Sequence, residues 1–82
     1  MRVNVLYFAA VRELLNEAEA SIELPVEVRT VRDFRDHLLA RHPILRPWAT
    51  SIRIARNEVF VDVEARLEDG DVLAIIPPVS GG

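Results

Sequence analysis

A single segment of the chain has the residue pattern of a long amphipathic helix, and it lies between segments that alternate as strands do. Thr30 is a suitable N-cap with Asp33 three residues later, and His42-Pro43 ends the segment, because the residue before proline is disfavoured in a helix. The apolar residues of the segment share one helical face: Val31, Phe34 and Leu38. The pattern therefore predicts one main helix over residues 31–41.

Five segments alternate apolar and polar residues with the period of a β-strand, namely residues 2–9, 21–25, 52–55, 59–61 and 72–76. The first two are predicted to form a hairpin, with a short helical turn over residues 10–15 and a polar connection over residues 16–20 between them. Arg56-Asn57-Glu58 supplies the turn between the third and fourth strands. Gly70 provides the positive φ of the turn before the last strand. Residues 44–51 are predicted to be a loop in which Trp48 covers an edge of the core.

The order of these elements, ββαβββ, predicts an α+β fold of the β-grasp type, with a mixed sheet of about five strands over one main helix. The first and last strands are expected to lie side by side and parallel, because a long crossover connects them. The predicted core side chains on these two strands are Val3, Val5, Tyr7, Leu73 and Ile75. No linker or repeat interrupts the pattern, so residues 1–82 are predicted to be a single domain.

Composition excludes several classes of function. The chain has no cysteine, which rules out disulfides and thiol chemistry, and its net charge of −3 argues against a nucleic-acid-binding protein. No apolar run is long enough to span a membrane, and Arg12-Glu13 follows the apolar N-terminal stretch too closely for a signal peptide. A cytoplasmic protein is therefore expected. All 10 basic residues are arginine, so side-chain isopeptide bonds between copies of this chain cannot form.

The polar side chains do not form a recognisable catalytic or metal-binding pattern. Glu64, Glu68, Asp69 and Asp71 flank a glycine, which is typical of a solvated turn. His37 and His42 are five residues apart, a spacing that does not place two metal ligands on one helix face, and both are predicted to lie at the surface. The sequence contains neither a G-x-S-x-G elbow nor a phosphate-binding loop. No metal and no cofactor is expected to be bound by this chain.

The sequence ends in "PPVSGG", residues 77–82, which follow the last predicted strand directly. Pro77 and Pro78 stiffen the base of this tail, which at about 3 Å per residue would reach roughly 18 Å from the sheet. Gly81 and Gly82 have no Cβ, so they fit a narrow channel that side chains would block. A carboxylate is a poor acyl donor unless it is activated, for example as an adenylate, and another protein would have to supply the ATP. We therefore predict a tail that enters the active site of a partner.

The sheet face opposite the helix is predicted to carry more large apolar side chains than water would favour. Leu6, Phe8, Val72 and Ile76 point to this face, and Phe60 is a candidate for the same side. An exposed cluster of Phe8, Phe60 and Ile76 would mark a partner-binding surface. The alternative is that loops cover these side chains.

Three blocks of the sequence together resemble a known family: "FAAVREL" (residues 8–14), the turn at Asn57, and "LEDGDVLAIIPPVSGG" (residues 67–82). The chain resembles the small, sulfur-carrying subunit of molybdopterin synthase, a ubiquitin-like β-grasp family. The resemblance implies that an E1-like enzyme adenylates Gly82, that the product is converted to a thiocarboxylate, and that its sulfur passes to cyclic pyranopterin monophosphate. It also implies a heterotetramer in which Val79, Ser80 and Gly81 line a channel of the large synthase subunit, while Phe8, Phe60, Ile76, Pro77 and Pro78 dock against it.

Two departures from the family pattern and three other functions bear on this interpretation. Asn57-Glu58 stands where relatives often have Asn-Gly, and the charged Glu64 and Arg66 leave the path of the backbone before the last turn open.

A sulfur carrier for thiamine thiazole or another thio-metabolite is a neighbouring possibility. A protein modifier ligated to lysines through Gly82, and an interaction domain with an inert tail, are the other two.

Overall fold

The computed structural model describes residues 1–78, which alternate strands and helices. In chain order the elements are β1 (Arg2–Tyr7), α1 (Ala9–Leu15), β2 (Glu19–Glu23), α2 (Val31–Arg41), a 3₁₀-helix (Pro43–Trp48), β3 (Arg53–Arg56), β4 (Val59–Phe60) and β5 (Val72–Ile76). The bounds of α2 and β5 are those predicted. The strand predictions over residues 2–9 and 21–25 are wrong by two residues at the ends, because Phe8 caps α1 and the chain leaves the sheet after Glu23.

The five strands form one mixed sheet in the order β2-β1-β5-β3-β4. β1 is antiparallel to β2 and parallel to β5, and β3 is antiparallel to both β5 and β4. The predicted hairpin and the predicted parallel pair of first and last strands are thus confirmed. The first and last strands of the chain, β1 and β5, therefore lie side by side in the middle of the sheet.

The core fills the space between α2 and one face of the sheet, which we call the inner face. Val3, Val5 and Tyr7 of β1 point into it, as do Leu73 and Ile75 of β5, and all of them are buried. Val31, Phe34 and Leu38 supply the helix side of the core. These are the core residues that the alternation and the helical spacing predict.

The N-terminus of α2 is capped as predicted and is also tied to the segment that precedes β5. The Thr30 hydroxyl accepts a hydrogen bond from the Asp33 N–H at 3.2 Å, and the Asp33 carboxylate accepts one from the Thr30 N–H at 3.2 Å. The N–H groups of Val31 and Arg32 donate to carbonyls of residues 65 and 63. Arg32 also forms an ion pair with Glu64 at 2.6 Å. These contacts define the path before the last turn, which the sequence leaves open.

The prediction of a loop over residues 44–51 is wrong, because residues 43–48 form a 3₁₀-helix. Pro43 occupies its first turn, where a missing N–H costs nothing and the fixed φ of proline suits a helix. Leu45 is fully buried beneath this segment, and Trp48 packs against the edge of the core as predicted. The 3₁₀-helix therefore closes the core beside α2.

Candidate functional site

β5 ends next to the point where β1 gives way to α1, and this junction forms one side of the candidate site. The Phe8 N–H donates to the Ile75 carbonyl at 3.2 Å, and Phe8 keeps an extended backbone as the N-cap of α1. Its side chain remains 46% exposed. Pro77 is half-buried and Pro78 is exposed, so the chain reaches the surface beside Phe8. Val79, Ser80, Gly81 and Gly82, the predicted tail, lie outside the described residues.

The register of the sheet places the predicted apolar residues on the outer face, opposite α2. Leu6 pairs with Ala74, Ala74 with Ala55, and Ala55 with Phe60, so these four side chains share one row across the sheet. Ile76 pairs with Arg53 in the next row. Phe60 is 48% exposed. Phe8, Ile76 and Phe60 thus line the same face at the end of the sheet from which the tail leaves, and no residue of the described range buries Phe8 or Phe60.

A tight turn between β3 and β4 positions Phe60 at the edge of this face. Asn57 and Glu58 have φ angles of 51° and 73°, so both residues are in the left-handed region. Two consecutive residues of this kind define the two-residue hairpin turn whose twist matches that of the strands. The replacement of the usual glycine by Glu58 therefore leaves the turn intact, at the cost of a strained backbone at Glu58.

The side chain of Asn57 ties this hairpin to the start of β5. Its amide Nδ2 donates to Asp71 Oδ1 at 3.0 Å, and its Oδ1 accepts from the Val72 N–H at 2.9 Å. Asp71 Oδ2 accepts from the Glu68 N–H at 2.8 Å, and Asp71 is only 6% exposed. The prediction of four solvated carboxylates is therefore wrong for Asp71, which is a buried structural anchor because two neighbouring donors use its two oxygens as acceptors.

Two of the other carboxylates of this set also bind groups of the chain itself. Asp69 accepts from the Arg2 N–H at 2.7 Å, and Glu64 pairs with Arg32. Within residues 1–78, no group of three or more histidine, aspartate or glutamate side chains is placed to hold a metal ion. In the same range, no helix is long and apolar enough to cross a membrane.

The predicted surface position of His42 is only partly correct, because the residue is half-buried and its ring packs edge-on against Tyr7 with 6.3 Å between the ring centroids. Its Nε2 atom and the Tyr7 hydroxyl are both buried. Burial lowers the pKa of His42, with a smaller contribution from the positive charge of Arg41, and burial likewise raises the pKa of Tyr7. Tyr7 belongs to the core of the inner face and the half-buried His42 packs against it, so neither ring contributes to the outer-face site.

One residue of the outer face has no signal in the sequence pattern. Arg53 places its guanidinium carbon 3.8 Å from the centroid of the Phe60 ring, a cation–π arrangement. The contact depends on the register of β3 against β4, which brings together residues of neighbouring rows. A cation therefore sits within the apolar surface that the alternation alone predicts.

Comparison with known proteins places this geometry in a family. The protein-family model with the description "ThiS family" matches residues 5–82 of this chain. A Drosophila melanogaster protein named molybdopterin synthase sulfur carrier subunit is 40% identical over 89 residues, which cover 100% of this chain and 92% of that protein.

Two solved structures show the same fold. SAMP1 from Haloferax volcanii is 28% identical with a TM-score of 0.82, and the match covers 100% of both chains. A protein–protein complex of subunits 1 and 2 of molybdopterin-converting factor from Helicobacter pylori contains a chain that is 29% identical with a TM-score of 0.71, again over 100% of both chains. The predicted α+β, ubiquitin-like β-grasp fold is confirmed by these neighbours and by the observed sheet.

Proposed function

The chain belongs to the ThiS family, among the sulfur carrier subunits of molybdopterin synthase, and from this premise we propose that the carboxyl group of Gly82 carries the sulfur. The observation that supports this role is the direction in which β5 runs. β5 lies in the centre of the sheet, ends at Ile76 beside Phe8, and delivers Pro78 to the surface. The reactive end of the chain would therefore leave the body next to its exposed apolar face.

The chemistry follows from the poor reactivity of a carboxylate. Adenylation by an E1-like enzyme consumes ATP, and a sulfur nucleophile then displaces AMP to give a thiocarboxylate on Gly82. Two such carriers each give one sulfur to cyclic pyranopterin monophosphate, which builds the dithiolene of molybdopterin, and each carrier returns to its Gly82 carboxylate with an oxygen in place of the sulfur. None of these steps uses a side chain of residues 1–78, so the body serves to recognise partners. A cytoplasmic location belongs to the same proposal, because the activating step consumes ATP.

The large subunit of molybdopterin synthase is the proposed partner of the outer face. The Helicobacter pylori structure, by its title, holds the two subunits of the converting factor together in a complex. In our proposal Phe8, Phe60, Ile76, Pro77 and Pro78 dock against the large subunit. Val79, Ser80 and Gly81 then line its channel, with Gly82 at the site of sulfur transfer. The catalytic groups that act on the pterin belong to the large subunit.

Intact-mass analysis of the protein isolated from its native cell tests this function. We expect a species that ends at Gly82 and is heavier by the replacement of one oxygen by sulfur, and a variant that lacks Gly82 should show no such species. Adding the large subunit and the pterin substrate should return the carrier to its carboxylate form. Isopeptide adducts on lysines of other proteins would instead identify a modifier, and sulfur that passes only to a thiazole precursor would identify a thiamine carrier. An unchanged carboxylate would mean an inert tail.

A further inference from the structure

We infer that Arg53 is a specificity-determining residue of the outer face, and that the large synthase subunit presents an aspartate or glutamate carboxylate to it. This inference rests on the proposed function, because the partner that covers Phe60 is taken to be the large subunit. It concerns the chemistry of that partner's surface, which the apolar residues alone do not define.

The first observation is that Arg53 has no anionic partner of its own. Among the ion pairs and side-chain hydrogen bonds of residues 1–78, none includes the Arg53 guanidinium, whereas Arg2 pairs with Glu23 and Arg32 with Glu64. The chain carries 13 acidic residues against 10 basic ones, so carboxylates are not scarce. The contact of the Arg53 head group is instead the Phe60 ring at 3.8 Å.

The second observation is that a partner cannot cover the Phe60 ring without also covering the Arg53 guanidinium, unless the guanidinium moves away. A surface that packs on the exposed Phe60 ring also displaces water from a cation that lies against that ring. A guanidinium that loses its water without gaining an anion is strongly unfavourable, whereas a carboxylate in fork geometry restores its hydrogen bonds. The partner surface therefore needs a negative group next to the apolar residues that meet Phe60.

A second cation lies beyond Phe60, past the edge of the sheet that β4 forms, because Arg35 belongs to α2 on the inner-face side. A cavity of about 170 Å³ adjoins Phe60, and the guanidinium-bearing residues Arg35 and Arg53 both line it, together with the aliphatic residues Val31, Ile52, Ile54, Val61 and Val63. Arg35 is only loosely engaged, since its Nε lies 3.9 Å from a carboxylate oxygen of its exposed neighbour Asp36. A partner that covers Phe60 and reaches over this edge would meet both cations, which favours an acidic partner segment over a neutral or basic one.

The test measures the affinity of the full-length chain for the purified large subunit as a function of salt. Arg53→Glu should weaken the complex at least about tenfold at low salt, because it turns an attraction into a repulsion. Arg53→Met should flatten the salt dependence of the dissociation constant, and Arg53→Lys should retain it, because lysine keeps the charge. Arg46→Glu is the matched control, since Arg46 is exposed on the 3₁₀-helix, away from the outer face, and we expect a change of less than about twofold.

The outcomes separate this inference from the function on which it rests. Thermal denaturation of each variant should match the wild type, because Arg53 is exposed. If the wild type binds the large subunit and Arg53→Glu binds within about twofold of it, the guanidinium stays in water and the inference is wrong, while the proposed function stands. If the wild type forms no complex, the proposed docking fails and the inference fails with it.

Discussion

Asp71 shows how a buried charge can serve structure instead of catalysis. Its two carboxylate oxygens each accept a hydrogen bond within the chain, from the Glu68 N–H and the Asn57 amide, and the residue is only 6% exposed. The two turns that it joins lead to Phe60 on one side and to β5 on the other. This side chain therefore holds the β3–β4 hairpin and the start of β5 in a fixed relation.

Replacing Asp71 by alanine is expected to lower the free energy of unfolding by about 2–3 kcal/mol, because two donors lose their acceptor in a largely buried setting. Urea denaturation monitored by circular dichroism measures the loss. Asp69→Ala is the matched control, since Asp69 lies in the same turn but accepts a single hydrogen bond at an exposed position, and its loss should be smaller. Equal midpoints for the two variants would contradict the structural role assigned to Asp71.

Replacing Phe60 by arginine is expected to weaken binding of the large subunit by about 2 kcal/mol or more, because a charge would replace an apolar ring of the proposed docking surface. Stability should change little, since the Phe60 side chain is 48% exposed. Val26→Arg is the control, because Val26 is 77% exposed and follows β2 at the opposite end of the sheet from Phe8. Titration calorimetry with each variant gives the comparison, and an unchanged affinity would remove Phe60 from the docking surface.

The β3–β4 hairpin is short and partly strained. Glu58 has a φ of 73°, which glycine adopts readily but a residue with a Cβ does not. The strand that follows it, β4, contains only two residues. The hairpin keeps its shape because Asn57 is bonded to β5 from both its backbone and its side chain. The hydrogen bonds of Asn57 thus offset the backbone strain at Glu58.

Replacing Glu58 by glycine is expected to raise the free energy of unfolding by about 1 kcal/mol, because glycine adopts a positive φ without a steric penalty. The same substitution at Glu13, an exposed residue of α1, should lower it by about 1 kcal/mol, because glycine disfavours a helix. Opposite shifts of the thermal midpoint for these two variants would confirm the strain. A loss of stability in both would show that the side chain of Glu58 matters more than its backbone.

The elements that local signals mark could be predicted with correct bounds. Thr30 and Pro43 delimit α2, and Gly70 and Pro77 delimit β5, so each end depends on one side chain and its effect on the backbone. The outer-face position of Phe8 and Ile76 follows from alternation in the same way. For these features the sequence pattern and the structure agree because no distant contact decides between alternatives.

The features that depend on contacts between distant segments could not be predicted in this way. Arg53 meets Phe60 through the pairing of β3 with β4, Asp71 accepts a hydrogen bond from Asn57, and His42 packs edge-on against Tyr7. Residues 43–48 adopt a 3₁₀-helix although Pro47 suggests a loop, because burial of Leu45 anchors the segment to the core. In each case the partner lies four or more residues away, and alternation carries no information about it.

In the molecule as a whole, the two faces of the central parallel pair, β1 and β5, have different roles, one in stability and the other in the proposed binding of partners. The inner face of these strands holds the core residues Val5 and Leu73, which pair with each other in the register. The outer face and the end of β5 form the proposed contact with partners. The body can therefore be stable without any contribution from the last residues, while the proposed chemistry depends entirely on them.

Removing Gly82 is accordingly expected to abolish sulfur transfer while the unfolding midpoint and the affinity for the large subunit stay close to those of the wild type, because the core and the outer face lie within residues 1–78. Leu73→Ala is the control for the stability measurement, since a fully buried leucine should cost about 2–5 kcal/mol when truncated. Mass spectrometry after incubation with the activating enzyme, ATP and a sulfur donor reports the thiocarboxylate. If the shortened chain lost stability as Leu73→Ala does, the last residue would belong to the fold, and a tail that acts apart from the body would be the wrong description.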